Sequence, residues 1–182
     1  MSGAGEQDMR YRFDIVGRSV VDVVMAAGGW LYDRATAGWD VTVLIDDASK
    51  EQDTRPLEIL GAKVLDLASV LTQWEHWPHP QTIAVCAEMF DGHARVRQGV
   101  IEALEHSSTE VTLWGDVPAE LDSDVDARQH RLSAAARAFK AQALRAAGID
   151  PASSQAWDAH IETFRCGPAA CTSVAADLSP AS

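Results

Sequence analysis

The run Val41-Thr42-Val43-Leu44-Ile45 constrains this chain more than any other segment. It is β-branched, almost wholly apolar, and ended by Asp46-Asp47. A strand apolar on both sides needs cover on both faces, and a parallel sheet flanked by helices provides it. Thr82–Ala87 (TIAVCA) and Glu110–Trp114 (EVTLW) read the same way. Residues 10–17 alternate at Tyr11, Phe13 and Ile15, a strand pattern, and Ala62–Leu67 forms a short fifth strand.

Helical patterns fall between these strands. Val20–Ala37 follows the capping residue Ser19 and stops at Gly38. Gly28-Gly29 inside it weakens the helix and marks close backbone packing or a bend. Pro56 opens a short helix to Leu60, and Ala68–Trp77 gives a turn or two before Pro78 and Pro80. Asp91–Glu105 is amphipathic, with Asp91 as its expected cap. Leu132–Ala147 carries a stripe of Leu132, Ala136, Phe139, Ala143 and Ala147 and is closed by Gly148. One more helix is expected within Ala152–Phe164. Strands alternating with helices predict βαβ units. The expected fold is a single three-layer α/β domain over residues 10–165, Rossmann-like or flavodoxin-like, with about five mostly parallel strands. Residues 1–9 read as a flexible leader and 166–182 as a disordered tail.

Charge narrows the partners. The chain carries a net charge of −12, and its excess is local. Residues 46–126 hold 17 acids and five bases, while residues 127–149 hold five bases and no acid. The five bases, Arg128, Arg131, Arg137, Lys140 and Arg145, scatter around a helix instead of forming a stripe. That pattern predicts a helix docked on the acidic body, with some bases paired to Asp122, Asp124 and Asp126. Nucleic acid and anionic membrane are disfavoured as partners. The longest apolar run, Val23–Tyr32, is too short to span a bilayer. No segment has the pattern of an export signal, so a reducing cytoplasm is expected, with Cys86, Cys166 and Cys171 as free thiols. Twelve Arg against three Lys, with abundant Ala, suggest a bacterial source.

In open parallel sheets, ligands gather at the carboxyl ends of the strands, where the strand order reverses. Those ends supply Arg18, Ser19, Asp46, Asp47, Glu88, Asp91 and Asp116 as candidate ligand-binding residues. Hard oxygen donors of this kind suit Mg²⁺, the one cofactor considered, and Asp46, Asp47 and Asp116 are the candidate metal set. An Asp at a strand end also serves simply to cap the next turn. Asp91-Gly92-His93 raises a general base near the rim, against which stands an N-capped helix. His76 and His79 sit in a Trp-rich, Pro-interrupted loop, whose Trp74 and Trp77 are candidate interface residues. G-x-G-x-x-G, P-loop, G-x-S-x-G and H-E-x-x-H patterns are all absent. The expected function is therefore a small soluble α/β module without recognisable catalytic machinery, binding a protein partner, a second copy or a small ligand. The alternative is a Mg²⁺-dependent enzyme acting on a phosphorylated or nucleotide-like substrate through strand-end carboxylates.

Overall fold

A computed structural model describes residues 10–46, 52–106, 109–169 and 176–182. The expected leader 1–9, Asp47 and Cys171 lie outside these residues. Five strands run parallel: β1 (Arg12–Gly17), β2 (Asp40–Ile45), β3 (Lys63–Asp66), β4 (Thr82–Cys86) and β5 (Glu110–Trp114). Each lies where the apolar runs placed it. Every residue of β4 and β5 is buried, as strands covered on both faces require.

The sheet nevertheless has eight strands, not five, in the order β3-β2-β1-β4-β5-β7-β6-β8. The additional three are β6 (Asp126–Arg131), β7 (Ile161–Cys166) and β8 (Ser179–Pro180), joined by antiparallel pairing. The sequence disguised them for identifiable reasons. Strand β6 reads Asp-Ala-Arg-Gln-His-Arg, and only His130 in it is buried. Strand β7 does alternate, but one of its inward residues is Glu162, beside Phe164 and Cys166. A buried carboxylate hides an apolar period. The helix expected over Ala152–Phe164 is replaced by single 3₁₀ turns at Pro151–Ser153 and Gln155–Trp157, then by β7. The stretch expected to be a tail begins inside β7, and its final residues return to the sheet as β8, with Leu178 buried.

Helices cover both faces. One group comprises α1 (Val20–Thr36), α2 (Arg55–Ile59) and α6 (Ala134–Ala146), which pack together. The others are α3 (Leu67–Thr72), α4 (Ala87–Gly92) and α5 (Ala94–His106). The amphipathic helix starts at Ala94, so Asp91 is no cap; it sits inside α4 and faces Arg97 at 3.7 Å.

The expected basic helix is also redistributed. Arg128 and Arg131 belong to β6, Arg137 meets His160, and Arg145 covers Trp157. Lys140 points inward and bonds Glu162 at 2.6 Å, with both side chains only 2% exposed. The acidic loop finds its partner elsewhere, since Asp122 accepts from Arg165 at 2.8 Å.

That buried pair accounts for Gly28-Gly29. The backbone N–H groups of Gly29 and Trp30 donate to the two oxygens of Glu162, each at 2.8 Å. The Lys140 ammonium donates to the Met25 carbonyl at 2.7 Å. A side-chain ion pair has thus been inserted along α1. A Cβ on Gly29 would stand 2.2 Å from Leu132 Cδ2 and 3.1 Å from Glu162 Oε1, so a larger residue here would have to displace both side chains. Further along α1, Arg34 is 1% exposed and forks onto Asp177 with two bonds of 2.9 Å. Its plane is stacked among Trp30, Trp39 and Phe13.

Candidate active site

The strand order reverses between β1 and β4, so the carboxyl end of β1 is the place where a ligand can enter between diverging loops. Strand β1 ends at Gly17, level with Ile45 of β2. Beyond it, Ser19 caps α1, its hydroxyl accepting from the Asp22 amide at 3.1 Å. On one side Asp46 leaves β2, and on the other Ala87 opens α4 directly from β4.

His93, at the end of α4, hydrogen-bonds Asp46 through Nε2 at 3.1 Å. Because β1 lies between β2 and β4, this contact bridges over the exit of β1. Both side chains are about one-third exposed, at 32% and 31%. A carboxylate only accepts, so Nε2 carries the proton and Nδ1 is the basic nitrogen. A second bridge joins Arg18 to Glu88 across the same gap.

A cleft of about 940 Å³ is lined by Arg18, Ser19, Asp22, Met25, Gln155 and Asp158 among others, and Arg18 is the member of the two bridges that borders it. One wall is the first two turns of α1, and the other is the turn that precedes β7. Asp22 contributes a buried carboxylate oxygen, Oδ2, without a hydrogen-bond partner among the described residues. At the end of β4, burial pushes the Cys86 thiol up to about 11, helped by the nearby Asp22 charge. Cys86 is therefore a protonated thiol at neutral pH and no nucleophile.

The candidate residues fall into distinct places. Arg18, Ser19, Asp46 and Glu88 meet around the end of β1. Asp91 turns to Arg97, and exposed Asp116 follows Gly115 beyond β5. Of the proposed metal set, Asp47 lies outside the described residues, Asp46 is hydrogen-bonded by His93, and Asp116 is exposed beyond β5. Among the described residues no group of three His, Cys, Asp or Glu is placed to hold a metal ion. Trp77 is not a free interface residue. Its indole N–H donates to buried Asp14 at 2.7 Å, and Arg12 lies over its ring. Trp74 is 37% exposed. His93 is the member that sequence reasoning passed over. Its signal was Asp-Gly-His after a buried strand, and the capping role given to Asp91 concealed it.

No family model matches the chain, and no curated protein does. The architecture defines a class: an α/β domain with a mostly parallel central sheet. Solved structures share it. The chain is similar to the A40926 pseudoaglycone deacetylase, with 15% identity and a TM-score of 0.58, covering 87% of this chain and 97% of that one. It is similar to a teicoplanin deacetylase in complex with teicoplanin, with 13% identity, a TM-score of 0.60, and coverage of 85% and 97%. A zinc-inhibited form of a teicoplanin deacetylase matches at 12% identity with a TM-score of 0.58, covering 85% of this chain and 97% of that one. At these identities the likeness is one of fold. The expectation of a module without recognisable catalytic machinery is corrected by these similar structures, which are deacetylases.

Proposed function

We propose that this chain is a hydrolase of the deacetylase kind, which cleaves an acylated amine with water at the end of β1. The observation that carries this reading is the Asp46–His93 hydrogen bond across the point where strand order reverses. The roles follow from the atoms. Asp46 holds the imidazole through Nε2 and stabilises it once it becomes charged. Nδ1 of His93 takes a proton from water as the oxygen adds to the amide carbonyl carbon. Arg18, beside the cleft, offers N–H groups to the oxyanion that develops. The imidazolium then returns its proton to the nitrogen, the C–N bond breaks, and a carboxylic acid and an amine leave. The cleft is large enough for a substrate of drug size, which needs about 300–1,000 Å³. The likeness to enzymes acting on teicoplanin and A40926 pseudoaglycone supports the same reaction class.

The test is release of acetate from a panel of N-acetylated amines that includes teicoplanin. Release is expected from the parent protein and should fall about 10²–10⁴-fold in His93→Gln. Release that is undiminished in His93→Gln, or absent for every substrate, overturns the reading.

A further inference from the structure

The chain ends as a strap, residues 176–182, laid against α1 and β6. Strand β8 pairs with β6 at only two positions, Pro180 with Arg128 and Ser179 with Gln129. A firmer hold lies just before it. The Asp177 carboxylate takes the Arg34 fork and the Trp30 indole N–H, and Leu178 is buried. The Asp177 backbone carbonyl is held separately, by Nδ1 of His130 at 2.9 Å.

His130 is 5% exposed and has a second partner. Its Nε2 lies 2.8 Å from Oδ2 of Asp33 on α1. Neither partner can donate. A backbone carbonyl only accepts. Asp33 already receives both donors of Ser133, the amide at 3.1 Å and the hydroxyl at 2.5 Å. That hydroxyl accepts from the Ala136 amide, so its own hydrogen is the one given to Asp33. Asp33 is therefore a carboxylate that accepts at both oxygens. Two acceptors require two N–H groups, and an imidazole has two only in its charged form. The surrounding charges are otherwise spoken for. Glu162 is the register partner of His130 on β7, and Lys140 of α6 holds it. Arg34 of α1 is engaged by Asp177 and Glu110. Among the described residues, His130 is the one cation paired with Asp33.

We propose that His130 is a proton-operated latch on the C-terminal strap. As an imidazolium it ties the Asp177 carbonyl to Asp33 of α1. A neutral ring keeps a single N–H. The charged carboxylate is the stronger acceptor, so that hydrogen stays on Nε2. Nδ1 then turns a lone pair toward the Asp177 carbonyl, and the strap loses this tie. The latched strap binds one proton that the released strap gives up as pH rises. Its hold is therefore complete at the acid end of the histidine range and is lost toward the alkaline end. Release uncovers the outer edge of β6. The strap grips the second half of α1, away from Ser19, so the proposal does not depend on the hydrolase reading.

The experiment uses the full chain. Imidazole ¹⁵N NMR reads the ring nitrogens, with His130 assigned by its loss in H130Q. At about pH 6 both nitrogens of His130 should carry hydrogen. Hydrogen exchange with mass spectrometry then follows the C-terminal peptide from about pH 6 to about pH 8, each rate divided by the intrinsic rate at that pH. One proton bound only by the latched form changes protection by up to about tenfold per pH unit. Protection of residues 178–182 should fall at least about tenfold over this range in the parent and stay level in H130Q. Peptides from β4 and β5 should keep their protection in both. If H130Q fails to fold, His130 is assigned by elimination, through single Gln substitutions of the other histidines. Its ring titration in the parent should then coincide with the loss of protection. A single protonated nitrogen at about pH 6, protection level with pH in the parent, an equal fall in H130Q or in β4 and β5, or midpoints more than about one pH unit apart overturns the proposal.

Discussion

Ion pairs of the same chemical kinds occupy two very different regions of this molecule. At the carboxyl rim of the parallel strands, Arg18–Glu88 and Asp46–His93 are exposed to between 31% and 60%. Behind α1, Lys140–Glu162 is 2% exposed on each side, and Arg34 is 1% exposed against Asp177. Water screens the first set, so its members can part, exchange protons and meet a substrate at little cost. Lys140, Glu162 and Arg34 have almost no water to fall back on. Every lone pair and N–H there must find a protein partner, and Glu162 finds them on the backbone of α1. Burial, not residue type, separates the groups that can do chemistry from those that hold the frame.

The sharpest way to break this contrast is to remove one buried partner. Glu162→Ala leaves the Gly29 and Trp30 amides without acceptors and the Lys140 ammonium with only the Met25 carbonyl. Denaturant unfolding should register a loss of about 3–5 kcal/mol. A loss below about 1 kcal/mol would mean that the pair is a passenger in α1.

A smaller and pH-dependent effect belongs to Asp177. Burial alone would raise its carboxyl, but hydrogen bonds and charge from Arg34, with Trp30 and His130, outweigh that and hold it below its ordinary value of 3.8. The unfolded chain therefore takes up the proton first as pH falls. The stability contributed by Asp177 is complete above 3.8 and is lost as pH drops below it toward the folded value. Asp14 has the opposite sign, because burial raises its carboxyl despite Trp77 and Arg12. Its protonation favours the folded state as pH falls through the raised value. Asp177→Asn should therefore be less stable than the parent at neutral pH, and the gap should close in acid. A gap that is constant with pH would contradict the assignment.

The smallest stability change is expected at the rim. Asp46→Asn should shift unfolding by no more than about 1 kcal/mol, as for exposed pairs, while lowering the acetate release described above. A large stability loss with no change in turnover would make Asp46–His93 a structural pair and reverse the comparison.

The parallel half of the fold was legible because its strands obey one rule. Val41–Ile45, Thr82–Cys86 and Glu110–Trp114 are apolar on both sides, and nothing else in an α/β chain requires that. The antiparallel half was not, because β6 is polar and β7 turns Glu162 inward. Its pattern makes sense only with Lys140 and the Gly29 amide in view, and neither is local. Gly28-Gly29 was read rightly as a packing feature, though the partner was out of reach. At the rim, Arg18, Ser19, Asp46 and Glu88 could be picked out from strand ends alone. The link between Asp46 and His93 could not, since it depends on β1 lying between β2 and β4.

The insertion of Glu162 into α1 has a consequence for how the chain is made. During synthesis, Gly29 and Trp30 leave the ribosome long before residue 162, and Arg34 long before Asp177. The parallel strands can begin to pair while the first helix still lacks the acceptors that complete it. Folding in the cell must therefore finish late, and a stalled nascent chain ending after β5 would expose that unfinished helix to proteases and chaperones.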